Sequence, residues 1–321
     1  MGEFELIRQF FAAAQCARAG EGVALGIGDD CALLQVTAGE QLAVSTDTLV
    51  EGVHFPFAAD PLLLGQRALA VAVSDLAAMG AAPLAFTLAL TLPIVSAPWL
   101  RAFAQGLDSM AEACSVRLVG GDTTCGPLSL TVTVFGSVPA GLALTRAGAQ
   151  VGDLLCVGGP LGDAAGALPL VLGERAAAES IGQPLLDRYW SPQPQLALGR
   201  ALRGRATAAL DISDGLLADC GHIALASGVA LQIEQSRLPL SDALQQWLGE
   251  ADARHAALTG GDDYILAFTL PPLHLAPLLG AGWPVHVIGS VHAGSGVSLV
   301  DAQGQDITPL IRGYQHFRET P

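Results

Sequence analysis

The sequence predicts a two-domain α/β (α+β) protein: an N-terminal domain over residues 1–147, built on a mixed sheet with helices, and a C-terminal α/β domain over residues 148–321. Three observations predict it. The chain has 321 residues, 51% hydrophobic and 14% charged, enough to bury a large core in two domains. Two stretches, 84–92 and 128–135, alternate large aliphatics with small or hydroxyl residues at period two, as a strand with two different faces does. Beyond a glycine-containing turn at 147–152, strand and helix patterns begin to alternate afresh.

The elements follow in order. Residues 5–17 read as an opening helix with Leu6, Phe10 and Ala13 on one side; glycine-hinged turns and a strand at 42–45 come next. Asp60-Pro61 marks a helix start, Asp as cap and Pro in the first turn, and the helix runs past Leu64, Leu69 and Val73 to about Met79, where Gly80 ends it. Leu100, Phe103, Leu107, Met110 and Cys114 recur at spacings of three and four and mark an amphipathic helix between the two strong strands. The second half reads as strand 153–157, a helix after Gly162, strand 208–212, helix 215–227 closed by Gly228, strand 229–234, helix 241–248, and strands 264–270 and 285–291. Both strong strands have two semi-apolar faces, and each face must be covered. Helices take one; the other predicts contact with a second subunit and hence a homo-oligomer.

Composition removes several function classes. A net charge of −15 argues against nucleic acid or an anionic membrane as partner. All 15 basic residues are Arg, so a Walker A loop, a protein-kinase strand lysine and a Schiff-base lysine are excluded together. Any phosphate chemistry must rest on backbone amides, arginine and metal ions. The six cysteines, Cys16, Cys31, Cys114, Cys125, Cys156 and Cys220, contain no Cys-x-x-Cys pair; they predict buried free thiols in a reducing cytoplasm, with neither disulfides nor zinc. No secretory signal is expected from an N-terminus with early acids. The uncharged run 76–100 has the length of a membrane span, but Gly80, Pro83, Pro93 and Pro98 break it and its centre alternates as a strand.

The carboxylates carry the chemistry. A short apolar run, then Gly, Ser or Thr, then Asp recurs at Gly28-Asp29-Asp30, Ser45-Thr46-Asp47, Ser74-Asp75, Gly120-Gly121-Asp122, Asp211-Ile212-Ser213-Asp214 and Gly260-Gly261-Asp262-Asp263. Most fall at predicted strand ends, where open α/β proteins collect ligand-binding groups. Each has a plainer reading: Asp214 could cap the helix that follows, and Asp122 and Asp262 could be turn residues. Asp75 is harder to explain so, because it lies among Val71, Val73, Leu76 and Met79, where an uncompensated carboxylate is costly. Together the carboxylates suit a hard cation such as Mg²⁺, and the neighbouring glycines let phosphates approach backbone N–H groups. This points to Mg²⁺-dependent phosphoryl transfer or phosphate hydrolysis rather than a structural metal protein.

Seven motifs in chain order carry a resemblance: Gly-Ile-Gly-Asp-Asp-Cys-Ala-Leu-Leu (26–34), Ser-Thr-Asp-Thr-Leu-Val-Glu-Gly-Val-His-Phe (45–55), Ser-Asp-Leu-Ala-Ala-Met-Gly-Ala (74–81), Gly-Gly-Asp-Thr-Thr (120–124), Leu-Thr-Arg-Ala-Gly-Ala (144–149), Asp-Ile-Ser-Asp-Gly-Leu (211–216) and Gly-Tyr-Gln-His-Phe (313–317). The set resembles the thiamine-monophosphate kinase family, within the superfamily of aminoimidazole ribonucleotide synthetase and selenophosphate synthetase. Residues 46–55 favour the thiamine branch. The resemblance implies a synthetase-like two-domain fold and a cytoplasmic homodimer that pairs through its N-terminal sheets. It implies ATP-dependent conversion of thiamine monophosphate to thiamine diphosphate, with ATP as co-substrate, several Mg²⁺ ions and room for a monovalent cation. By motif position, Asp30, Ser45, Thr46, Asp47, Asp75, Asp122, Asp211 and Asp214 correspond to metal ligands. Gly121, Asp122, Arg146 and Ser213 correspond to nucleotide contacts, and His54, Asp262 and Tyr314 to substrate contacts; Asp122, Arg146 and Asp214 are the residues closest to the chemistry. Without the family, His54 reads as an ordinary surface or core histidine and Tyr314 equally as a packing residue. The family's Gly-Gly-Glu-Asp-Tyr-Glu-Leu appears here as Gly-Gly-Asp-Asp-Tyr-Ile-Leu (260–266), so Asp262 is one methylene short.

The implied acceptor needs no general base, because a phosphate monoester with a second pKa near 6 is largely dianionic at pH 7. The barrier is the approach of two polyanions, which positioning and charge neutralisation lower. Direct in-line transfer is the expectation. Two other readings remain at this point: a superfamily enzyme with a different acceptor, and a non-catalytic Mg-nucleotide-binding protein.

Overall fold

A computed structural model describes residues 3–18 and 20–314, and divides the chain into two compact units. The first comprises Met1–Leu76, Ala81–Ala143 and Trp190–Leu196; the second comprises Ala77–Gly80, Leu144–Tyr189 and Ala197–Pro321.

The first unit opens with a single α-turn, α1 (Glu3–Leu6), a π-helical segment (Ile7–Phe11) and a 3₁₀ turn (Gln15–Ala17), where the sequence pattern predicts one helix. The continuous helix is broken because Asp108 captures its backbone: the carboxylate accepts the Gln15 and Cys16 N–H groups at 3.1 and 2.8 Å. Strands β1 (Val23–Leu25) and β2 (Leu33–Leu34) form a small antiparallel ribbon. The main sheet has four strands, β3 (Glu40–Val50), β4 (Ala82–Leu92), β5 (Arg117–Cys125) and β6 (Ser129–Pro139), in the order β3-β6-β4-β5. It is mixed, because β4 and β5 run parallel while the other pairs are antiparallel. β3 is longer than its apolar core predicts, since it pairs with β6 from Glu40 to Val50 and its polar half lies in the same ladder.

Two helices belong to this sheet. In α2 (Pro61–Ala78), Asp60 caps the start by accepting the Leu62 N–H at 2.8 Å, and Gly80, at φ +65°, follows its end. In α3 (Ala97–Cys114), Ser96 caps the start and Ser115 closes the end in the left-handed conformation. The two helices cross in close contact: a Cβ at Gly106 would stand 2.0 Å from the Leu62 carbonyl oxygen, so only glycine fits there. α2 is long and apolar enough to cross a membrane, but it is largely buried inside the protein, and the uncharged run after it is strand β4.

The second unit has a six-stranded sheet. Its strands are β7 (Leu154–Val157), β8 (Ala208–Asp211), β9 (Ala230–Glu234), β10 (Leu266–Leu270), β11 (His286–His292) and β12 (Gly296–Val300), in the order β12-β9-β11-β7-β10-β8. All neighbours are antiparallel except β9 and β12. Helices α4 (Asp163–Val171), α5 (Glu179–Trp190), α6 (Leu196–Leu202), α7 (Leu216–Ser227), α8 (Asp242–Leu248), α9 (Glu250–Thr259) and α10 (Leu275–Gly280) complete the set. The core gathers Leu155, Leu210, Leu217, Ile223, Leu231 and Ile288 between sheet and helices. Four of the six cysteines are buried free thiols, as the composition predicts; Cys31 and Cys125 are exposed, because they end the 26–31 turn and β5.

Candidate active site

In the first unit, alternation along β3 decides which polar side chains meet. Thr46 and Thr48 turn to one face, where their hydroxyls pair with those of Thr133 and Thr131 at 2.9 Å each. Ser45 and Asp47 turn to the other. There the Ser45 hydroxyl donates to the carboxylate of Asp75 on α2. Burial first, and the neighbouring charge of Asp75 second, push the Asp47 carboxyl up to about 6. Three of the predicted metal ligands, Ser45, Asp47 and Asp75, are thus brought together; the Thr46 side chain is not, so Thr46 could serve a cation only through its backbone carbonyl.

Two repelling carboxylates beside a hydroxyl form an oxygen-only donor set, and this fits a hard cation. Among the described residues no group of three or more His, Cys, Asp or Glu side chains is close enough to hold an ion. Waters and substrate phosphates would have to fill the remaining positions, which is how Mg²⁺ is commonly held.

The other predicted residues of this unit lie on turns and strand ends. The Asp29 carboxylate accepts the Asp30 N–H at 2.9 Å, and both residues are exposed. The adjacency is therefore local support: Asp29 orders the turn that carries Asp30. Asp122 is exposed on β5 opposite Ala89, after Gly121. A Cβ at Gly121 would stand 1.9 Å from the Leu88 carbonyl oxygen, so this glycine is required for the two strands to approach. His54 is half-buried in the turn after β3, and its Nδ1 accepts the Val50 N–H at 3.0 Å. That bond assigns the neutral ring's proton to Nε2, which becomes a donor.

In the second unit the predicted residues other than Arg146 lie on or against one turn, 211–215, between β8 and α7. Asp211 ends β8 and is buried, Ser213 is exposed and Asp214 is half-buried. Asp214 does not cap α7; Gly215 occupies that position without a side-chain bond. The capping work falls to Asp219, one turn into the helix, whose Oδ2 accepts the N–H groups of Ser213, Asp214 and Gly215 at 3.0, 3.0 and 3.1 Å. Burial pushes Asp219 up to about 6 even though these three bonds pull the other way. Asp219 is a residue that motif reading missed; its only signal in sequence is an acid in the first turn after Asp-Gly.

The carbonyls of the same turn are taken from outside. Tyr264 N–H donates to the Ile212 oxygen, Asp262 N–H to Ser213 and Tyr314 N–H to Asp214, at 2.8, 2.9 and 2.9 Å. Asp262 sits at φ +70° and Tyr264 at φ +49°, so the predicted strand 264–270 begins only at Leu266. Asp tolerates the left-handed region better than most residues. The Tyr264 hydroxyl donates to the Asp262 carboxylate at 3.2 Å. Asp263 is buried, both its oxygens accept the Gly162 N–H at 2.9 Å, and burial holds it well above the ordinary carboxylate range. Tyr314 is 46% exposed, and residues 315–317 of its motif lie outside the described residues. Arg146 is exposed on a loop whose carbonyls and amides bind β8 and the Ser227 hydroxyl.

Comparison with known proteins defines the class. Residues 28–138 match the family described as AIR synthase related protein, N-terminal domain, and residues 150–302 match AIR synthase related protein, C-terminal domain. The chain is 44% identical to the thiamine-monophosphate kinase of Salmonella typhimurium, over 98% of both chains. It matches the crystal structure of thiamine-monophosphate kinase from Stenotrophomonas maltophilia with a TM-score of 0.82 and 47% identity, covering 87% of this chain and 91% of that one. AaThiL complexed with AMPPCP and TMP matches with a TM-score of 0.80 and 32% identity, over 88% and 89% of the two chains. The chain belongs to the thiamine-monophosphate kinase family.

Proposed function

We propose that this protein transfers the terminal phosphoryl group of ATP to thiamine monophosphate, giving thiamine diphosphate and ADP. The observation that carries this reading is the 44% identity to a curated thiamine-monophosphate kinase over 98% of the chain. The neighbour bound to AMPPCP and TMP supports both ligands.

In the first unit Asp30, Ser45, the Thr46 backbone, Asp47, Asp75 and Asp122 would serve as Mg²⁺ ligands; in the second unit Asp211 and Asp214 would do so. Bound there, Mg²⁺ would neutralise phosphate charge. Gly121 and Asp122 would face the nucleotide, and Ser213 would contact it through its side chain, since its N–H and carbonyl are already engaged. Arg146 supplies the guanidinium for developing negative charge. His54 offers its Nε2 proton to the acceptor, Asp262 offers a carboxylate to its cationic end, and Tyr314 offers an aromatic face. The acceptor oxygen attacks in line and no residue removes a proton. A trapped phospho-aspartate, or retention at the transferred phosphorus, would overturn that step.

The protein would act as a cytoplasmic homodimer. β3 is an edge strand of its sheet, and Leu42 and Val44 on its outward face are 46% and 54% exposed, which is where a second copy would dock. The test of function is ADP release from ATP: it should require both thiamine monophosphate and Mg²⁺, and no stimulation by thiamine monophosphate would overturn the reading.

A further inference from the structure

The turn at 211–215 carries three residues assigned above to metal and nucleotide, yet none of its amide protons at 213, 214 or 215 is available to a phosphate. All three point at one oxygen of Asp219, at 3.0, 3.0 and 3.1 Å, and that side chain is buried with the residue 4% exposed. The carbonyls of 212, 213 and 214 accept from Tyr264, Asp262 and Tyr314. Two glycines press the turn from outside: a Cβ at Gly261 would stand 2.4 Å from the Ser213 oxygen, and one at Gly313 would stand 2.6 Å from the Asp214 oxygen. The backbone is therefore engaged on both sides, and only the side chains remain to act.

We infer that Asp219 is a positioning residue for phosphoryl transfer: it turns the three amides inward so that the Asp211, Ser213 and Asp214 side chains are presented at fixed spacing. This rests on the proposed function. The physical argument is that three parallel N–H groups in a glycine-containing turn form an anion-binding nest. Left without an internal anion, the nest would take up an external one or rotate its peptides. A carboxylate carried by the chain occupies it permanently, and the turn becomes a rigid frame for ligands instead of a phosphate cradle.

The test uses Asp219→Asn and Asp219→Ala in the full chain, with Asp153→Asn as control. Asp153 is another buried carboxylate in this unit, accepting from the Gln150 N–H and the Thr207 hydroxyl, and it has no part in the site. Thermal melts, circular dichroism and steady-state kinetics are measured for each. Asp219→Ala is expected to lower kcat/KM for ATP at least about tenfold and to raise the Mg²⁺ concentration for half-maximal rate. Asp219→Asn keeps one oxygen acceptor and is expected to lie between Ala and wild type, while the control melts earlier with unchanged kinetic constants. A folded Asp219→Ala protein with wild-type kcat, KM for ATP and Mg²⁺ dependence would overturn the assignment, whatever its melting temperature. Should Asp219→Ala fail to fold, Asp219→Asn decides by the same constants. Should the wild-type chain show no turnover with thiamine monophosphate, the proposed function fails; titration of Mg-AMPPCP by calorimetry then tests Asp219 separately, with weaker binding in Asp219→Asn expected and equal binding overturning the assignment.

Discussion

The Ser45 hydroxyl on β3 donates to the Asp75 carboxylate on α2, and Asp47, two residues along the same strand face, is held beside that carboxylate. A helix carboxylate and a strand carboxylate are thereby forced to share a partly buried space. The arrangement costs stability when both are ionised, and a cation removes that cost.

This sets a pH dependence. Asp47 has a folded pKa of about 6 against an ordinary 3.8, so the folded protein binds the proton more tightly. The stability tied to that proton is complete below about pH 4 and is lost as pH rises through 6; without metal the loss is on the order of 3 kcal/mol. Under the proposed assignment Mg²⁺ takes the place of the proton, and it should then raise the melting temperature clearly at pH 8 and little at pH 5. Asp47→Asn should flatten the metal-free profile and lower kcat/KM at least about 100-fold. An equal Mg²⁺ shift in wild type and Asp47→Asn would contradict the assignment.

Substrate affinity should divide from turnover at two positions. His54→Ala removes a donor and Asp262→Ala removes a carboxylate; each should raise KM for thiamine monophosphate about tenfold or more while leaving KM for ATP within about threefold. Asp262→Glu restores the family's residue but places a longer side chain at φ +70°, so it should melt a few degrees earlier and retain turnover. Parallel changes in both KM values would show that these residues do not discriminate the acceptor.

Gly121→Ala should be severe. The added Cβ would stand 1.9 Å from a backbone oxygen of β4, which cannot move without parting two strands. A loss of at least ~2 kcal/mol in urea unfolding is expected, together with loss of activity. Wild-type stability for this variant would mean that β5 can shift at no cost.

The outward face of β3 should carry the subunit contact. Val44→Glu should convert a dimer to a monomer in light scattering after gel filtration, with the melting temperature falling in a concentration-dependent way. Unchanged mass for the variant, or a monomeric wild type, would remove β3 from the interface.

Much of the fold was legible in the chain because local rules and tertiary packing agree. Asp60-Pro61 starts α2, the three-and-four spacing of Leu100 to Cys114 is α3, and the alternation at 84–92 and 128–135 is β4 and β6. β5 was hidden because Gly120-Gly121-Asp122 looks like a turn, yet those residues continue the pairing of β4 as far as Cys125. The opening helix was overpredicted because its last turn gives its N–H groups to Asp108, 93 positions from Gln15. Helix α5 was hidden by Pro184, which reads as a breaker although Leu185 and Tyr189 are buried on one side; α6 is only seven residues long, and α9 has a weak apolar period.

The sequence by itself determined the two-part α/β organisation, the absence of lysine chemistry, and the run of Gly/Ser/Thr–Asp motifs that marks the family. Tertiary structure alone decided how neighbouring polar residues divide their work. Pairing of β3 with β6 sends Ser45 and Asp47 to one face and Thr46 to the other. Asp29 turns back on the chain while Asp30 carries the exposed carboxylate, and Asp219, in no motif, holds the turn that Asp211 and Asp214 frame. The reason is physical: motif spacing records which residue types lie close in sequence. The direction of a side chain and the partner of an amide depend on registers and contacts made by segments far apart in the chain.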